Sequence, residues 1–346
     1  MNNRELTYSD AIAEATIQAM DADPNVFVFG LGVDDSKGLF GTTVAVYKKF
    51  GASRVIATPA SENALTGICI GAALNGKRPI MVHARNDFMF LTLDQMLNNA
   101  AKWKFVYAGK SSVPFITRGI IGKGWGQGPT HFQSIQSIFA HFPGLYVAMP
   151  STPYLAKGLI LESVKLSVPV VILEHRALFT TKEIVPEEPY RYPFGKAKVL
   201  RTGKDITVVA TSLMAFEAIK AADILRKKGI EIEVVDPVSL QPLDKKTIIS
   251  SIRKTGRLIV ADTGWSSCGF SAEVAAVASD EAFEYLKAPI KRITWPACPC
   301  PVSKVLEDEF YPDYHDIIKS VEALLEIDLK INTEEFRQAD VFTGPY

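Results

Sequence analysis

The run Val55-Ile56-Ala57-Thr58-Pro59-Ala60-Ser61-Glu62-Asn63 passes from apolar chain to a stop and then to a carboxylate. Val55 to Ala57 predicts a short buried strand, Pro59 ends it, and Glu62 stands where the chain turns. From Ala64 to Leu74 small and aliphatic residues follow without a charge, which predicts a buried helix stopping near Gly76. A second apolar run, Pro79 to Ala84, ends in the polar cluster Arg85-Asn86-Asp87, and Asp94 to Lys102 predicts the start of an amphipathic helix. Polar residues gathered at strand ends between very apolar elements are how an α/β sheet presents a site. Glu62 has two readings on pattern alone: a functional acid, or a carboxylate satisfied by the N–H groups that open a helix.

The rest of the chain keeps the alternation of strand and helix. Tyr8 to Met20 predicts a helix with Ser9-Asp10 as its cap, and Val26 to Phe29 the first strand. Gly30 to Asp35 has no Lys-Ser/Thr behind it, so it reads as a turn more than a phosphate cradle. Val44 to Phe50 predicts a helix stopped by Gly51, and Val113 to Arg118 a core strand. Five glycines fall between Gly119 and Pro129, a loop able to approach a ligand closely or to move. His131 sits just beyond it, a placement that makes it a candidate for the site rather than a packing group. Strands at 146–150 and 170–174 flank a helix from Pro153 to Lys165. Residues 182–204 hold three prolines and many charges without a period, which predicts a linker. Strands at 206–210, 232–236 and 258–262, with a helix from Met214 to Lys228 and a last one from Asp316 to Ile327, predict a second parallel α/β domain.

Composition bounds the function. The 346 residues, 47% of them hydrophobic, suffice for two domains with substantial cores. With 38 basic and 38 acidic residues, no nucleic-acid or anionic-membrane partner is implied. Neither a signal-like N-terminus nor a membrane-length apolar run occurs, so a cytosolic (cytoplasmic) location is expected. Cys69 is expected to be a buried thiol. Cys298-Pro299-Cys300 lacks a second ligand pair at zinc-site spacing, so no metal is assigned to this chain.

Specific residues resemble a known family. Thr58-Pro59-x-x-Glu62, Gly71-Ala72-Ala73-Leu74-x-Gly76-x-Arg78-Pro79, Asp87-Phe88, and Asp94-Gln95 ahead of Asn99-Ala100-Ala101-Lys102 are similar to the β subunit of a 2-oxo acid dehydrogenase's first component. That component is the thiamine-diphosphate-dependent decarboxylase of pyruvate, branched-chain and acetoin dehydrogenase complexes, within the transketolase-like superfamily. The likeness runs from about Leu6 to about Leu325. It implies a thiamine-diphosphate-binding, pyrimidine-type domain over 1–181, the linker over 182–204, a transketolase C-terminal-type domain over 205–327, and a tail over 328–346.

By resemblance, Glu62 is the carboxylate that hydrogen-bonds the cofactor's pyrimidine nitrogen and shares a proton with it. Phe88 stacks on the pyrimidine face, Ala60 joins the cofactor contacts, and His131 is the active-site loop histidine that meets the 2-oxo acid or assists acyl transfer. His141 and His175 match family positions but read as packing groups. No Gly-Asp-Gly segment occurs, so Mg2+ and the diphosphate are expected on an α subunit, in an α2β2 assembly with a lipoyl acyltransferase as a further expected partner. Departures mark substrate choice. Arg85 stands where the family usually has an aromatic, with His83 ahead of it; facing the cleft, the two suggest an extra anionic group on the substrate, and otherwise they are a surface-facing pair. Leu166-Ser167-Val168 replaces the family's Asp-x-Asn, so no structural potassium is expected, and Lys123 and Trp125 alter the glycine loop. Alternatives are a split transketolase-like carboligase and a non-catalytic scaffold subunit.

Overall fold

The computed structural model describes residues 4–122 and 126–331. Lys123 and Trp125, and the tail from residue 332 onward, lie outside the described residues. The described residues divide into two compact units, the first made of 4–122, 130–196 and 238–243, the second of 126–129, 197–237 and 244–331.

The first unit begins with β1 (Glu5–Thr7) and α1 (Tyr8–Ala22). Thr7, rather than Ser9 or Asp10, caps α1, accepting the Asp10 N–H. There follow β2 (Val26–Gly30), α2 (Val44–Phe50), β3 (Val55–Ala57), α3 (Glu62–Leu74) and β4 (Arg78–His83). A 3-10 turn (Asn86–Thr92), a π-helical stretch (Asp94–Ala100) and α4 (Ala101–Val106) lead to β5 (Ile116–Ile121). The helix expected from Asp94 therefore opens with a wider turn, in which the Asn99 side chain reaches back to the Asp94 carbonyl. Next come α5 (Gln136–His141), β6 (Tyr146–Ala148), α6 (Pro153–Ser163) and β7 (Val170–His175).

Seven strands form one sheet, in which β7, β5, β4, β2 and β3 run parallel in that order, with β6 parallel beside β7. Its core is the near-continuous apolar content of Val28, Ile80, Met81 and Val170 to Leu173, as expected for parallel strands covered on both faces. Helices α1 and α6 pack on one another. Gly30 lets β2 lie against β4, since a Cβ there would fall 2.4 Å from the Val82 carbonyl oxygen.

Two buried elements expected from sequence are only half so. The β3 strand lies at the sheet edge, so Val55 is buried while Ile56 and Ala57 are exposed. In α3, Leu65, Thr66, Cys69, Ile70 and Ala73 form the inward stripe, and Ile68 and Leu74 face outward. A run without charges does not tell a buried helix from one whose outer face awaits a partner.

Residues 182–204 carry β8 (Lys182–Ile184), antiparallel to β1, and β9 (Lys198–Arg201). Both are too short to show a period. The second unit continues with β10 (Ile206–Ala210), α7 (Leu213–Arg226) and β11 (Ile232–Asp236). The short β12 (Ser239–Gln241) then joins β6 of the first unit's sheet, antiparallel. After it come α8 (Lys245–Thr255), β13 (Leu258–Trp265), α9 (Phe270–Ala282), β14 (Lys291–Trp295), α10 (Lys304–Phe310) and α11 (Tyr314–Leu325). The order β14-β13-β10-β11-β9 is parallel except for β9. Its core joins Val208, Val234 and Ile259 to Ala218 of α7 and Ile317 of α11. Among the described residues, no helix is long and apolar enough to cross a membrane.

Candidate active site

The residues singled out in the first unit follow the carboxyl ends of its parallel strands, the rim where open α/β sheets bind ligands. Glu62 follows β3 and stands half-buried in the first turn of α3, where the helix dipole favours a carboxylate. Ala60, just before it, is exposed. The helix α3 packs against the 3-10 turn that carries Phe88, which brings the acid and the aromatic ring to neighbouring elements.

Phe88 is half-buried and meets His131 edge-on, with ring centroids 5.6 Å apart. The Nδ1 atom of His131 and the Thr130 hydroxyl hydrogen-bond at 2.9 Å. The segment behind His131 is tied to the β4 end by two side chains. Asn86 donates through Nδ2 to the Gln133 carbonyl at 2.7 Å and accepts the Ile135 N–H, while Asp87 accepts the Gln133 N–H at 3.1 Å. Burial pushes the Asp87 carboxyl above its ordinary range, and the hydrogen bonds from Gln133 oppose that. Gly119 on β5 makes room for this turn: a Cβ there would meet the Met89 sulfur at 2.3 Å and the Asn86 Cβ at 3.3 Å. Asn86 was legible only as part of a polar cluster, and Asp87 as part of that cluster and of the Asp87-Phe88 motif; their grip on 133–135 is a tertiary fact.

His83 and Arg85 are not a surface pair. They are 5% and 7% exposed. The His83 Nε2 is buried without a hydrogen-bond partner, and burial lowers the ring's pKa to about 4. The Arg85 guanidinium lies 4.9 Å from the Phe40 ring centroid, and burial lowers its pKa while Asp87 raises it. Arg176, which sequence reasoning passed over, lies 3.8 Å from the same ring. Its one signal was its place directly behind the apolar run of β7. His175 is buried, its Nδ1 accepting the Ala177 N–H, and His141 is exposed at the end of α5, edge-on to Phe142.

In the second unit, the Gly126 N–H donates to Glu307, whose carboxyl is raised by burial. Cys298 is exposed and Cys300 buried, and no group of three metal-ligating side chains occurs among the described residues. Cys69 is buried, its thiol pushed up to about 12.

The profile described as "Transketolase, pyrimidine binding domain" matches residues 4–182, and "Transketolase, C-terminal domain" matches 195–317. The chain belongs to the transketolase-like family. Within it, the acetoin:2,6-dichlorophenolindophenol oxidoreductase β subunits of Cupriavidus necator and Bacillus subtilis are 40% and 39% identical to it, over 89% and 93% of this chain and 94% and 98% of theirs. The pyruvate dehydrogenase E1 component β subunit of Bacillus subtilis is 36% identical over 93% of this chain and 99% of its own. Among transketolase-like solved structures, a split-gene transketolase described as an inactive β4 tetramer shares the fold at TM-score 0.76 and 21% identity, covering 93% of this chain and 99% of that one.

Proposed function

We propose that this chain is the β subunit of a thiamine-diphosphate-dependent 2-oxo acid dehydrogenase first component, active with an α subunit. The observation that carries the reading is the meeting of the Phe88 and His131 rings beside the helix that begins with Glu62, in a chain of this family. The residues suit the cofactor. A half-buried carboxylate and a flat apolar ring stand on packed elements, as one polar edge and one aromatic face of a pyrimidine require. When bound, thiamine diphosphate supplies a carbon nucleophile for the 2-oxo carbonyl.

Glu62 would hold a proton at its carboxyl oxygen against the pyrimidine nitrogen, the group through which the cofactor is activated. Phe88 would pack on the ring face, with Ala60 beside it adding no side-chain bulk. His131, held at Nδ1 by Thr130, turns Nε2 towards the substrate oxygen, and Asn86 and Asp87 fix the segment from which it acts. His83 and Arg85 lie on the substrate side. Mg2+, with its oxygen ligands, comes with the α subunit, because the protein must supply those ligands and this chain has no Gly-Asp-Gly segment. Exposed apolar side chains, among them Phe105 and Val106 on α4 and Ile68 on α3, favour assembly into α2β2. A lipoyl acyltransferase is the proposed acceptor and the cytosol the proposed location.

The test is Glu62→Gln in the reconstituted pair. The expected loss of turnover is about a thousandfold or more with folding intact, and near-normal decarboxylation by a folded variant would remove Glu62 from this role. Thiamine diphosphate and magnesium titrated into the isolated chain should bind far more weakly than to the pair; equal affinity would defeat the shared site.

A further inference from the structure

The loop after β2 carries Phe40 in a backbone conformation seldom used by a bulky residue. Leu39 and Phe40 have φ of 43° and 61°, in the left-handed region where their Cβ atoms are strained. What this presents is one ring to two cations. The guanidinium carbons of Arg85, behind β4, and Arg176, behind β7, lie 4.9 and 3.8 Å from the Phe40 centroid. Phe179, itself stacked on Tyr8, backs Phe40 with centroids 6.5 Å apart. All these residues belong to the first unit, and Phe40, Arg85 and Arg176 follow carboxyl ends of the strands whose rim also holds Glu62, Phe88 and His131.

We propose that Arg85 and Arg176, gathered on Phe40, form a subsite for a second anionic group, carboxylate or phosphate, that the substrate carries beyond its reacting carbonyl. Two cations on one ring repel one another, and the aromatic face, together with the Asp87 charge and the Ala84 carbonyl that accepts from Arg85 at 2.7 Å, offsets part of that. The effect is felt at Arg176, whose pKa falls to about 10 through burial first and the charge of Arg85 second. An arriving anion relieves the repulsion and takes hydrogen bonds from planar donors matched to carboxylate and phosphate. Each arginine keeps 7% of its surface open. The placing of the group on a 2-oxo substrate rests on the function proposed above; the anion subsite itself does not.

The experiment uses the full chain assembled with its α subunit, as wild type, Arg176→Gln, Arg176→Lys and Arg85→Gln. Calorimetry reads binding of 2-oxoglutarate, of 2-oxopentanoate, which lacks the tail carboxylate, and of inorganic phosphate. The wild type should bind 2-oxoglutarate or phosphate about tenfold or more tighter than 2-oxopentanoate. Arg176→Gln and Arg85→Gln should each erase that margin, and Arg176→Lys, with the charge but not the fork, should keep part of it. Tighter binding of 2-oxoglutarate than of phosphate identifies a carboxylate, and the reverse order a phosphate. If Arg176→Gln melts well below wild type, Arg85→Gln and Arg176→Lys decide. No margin in the wild type, or equal weakening of all three probes in the variants, overturns the subsite. A margin that persists without turnover of any 2-oxo acid sinks the decarboxylase reading and leaves the subsite standing; turnover of 2-oxopentanoate without a margin does the reverse.

Discussion

Two pairs of buried charges in the first unit make opposite uses of arginine. On neighbouring strands β5 and β7, Arg118 and Glu174 are fully buried and joined by two hydrogen bonds of 2.5 and 2.8 Å. Just past the strand ends, Arg85 and Arg176 share Phe40; burial and then the like charge of Arg85 lower the Arg176 pKa, while Asp87 acts on Arg85 in the opposite sense. Inside the sheet, desolvation is answered by a fork-on-carboxylate match, because an uncompensated charge there would be prohibitive. At the rim the same residue type tolerates repulsion. A sheet of this kind separates two environments over a few residues, with a matched ion pair in the strands and two like charges on one ring where they end.

The contrast is broken most forcefully at Glu174. Glu174→Gln leaves Arg118 buried without its counter-charge and should cost about 3–5 kcal/mol, read as a fall in denaturation midpoint. A loss under about 1 kcal/mol would mean that the pair is not the compensated structural unit its geometry describes.

His83 gives the next effect, and its sign can be worked out. Its folded pKa of about 4 lies below the unfolded value near 6.5, so between those limits the unfolded chain binds more protons. Stability should therefore rise with pH across that window and be lost as pH falls from about 6.5 towards 4, by roughly 3 kcal/mol in all. Asp87, raised by burial, acts in the opposite sense, since its folded form holds its proton longer. The difference between wild type and His83→Gln isolates the histidine. Identical pH profiles of thermal unfolding would show that His83 does not titrate as a buried group.

Asn86→Ala removes the tie to residues 133 and 135 and should lower kcat with a 2-oxo acid by about tenfold, equivalent to about 1.4 kcal/mol, by loosening His131. Thiamine diphosphate affinity should change much less; a collapse in that affinity would place Asn86 on the cofactor side. The smallest effect is expected at Arg176. Arg176→Gln relieves a like-charge contact, so the folded chain should lose no more than about 0.5 kcal/mol and could gain as much, in contrast to Glu174→Gln. A loss comparable to that of Glu174→Gln in chemical denaturation would mean that both arginine pairs serve stability alone.

The sequence by itself determined the alternation of strands and helices, because apolar runs such as Val170 to Leu173 and stops such as Gly51 act locally. It also carried the family resemblance, and that resemblance is what singled out Glu62, Phe88 and His131 as candidates. Local signals could not fix what depends on neighbours far along the chain. The β1–β8 pair is three residues on each side, too short for any period, and exists through pairing across the unit. Whether β3 and α3 were buried or half-open depended on β3 lying at the sheet edge. Tertiary structure alone brought Asn86 to residues 133 and 135, and set Arg85 and Arg176 on one ring although 91 positions separate them in sequence. A parallel sheet aligns the ends of strands that long crossovers keep apart, so its rim is assembled in space from residues that no short stretch contains.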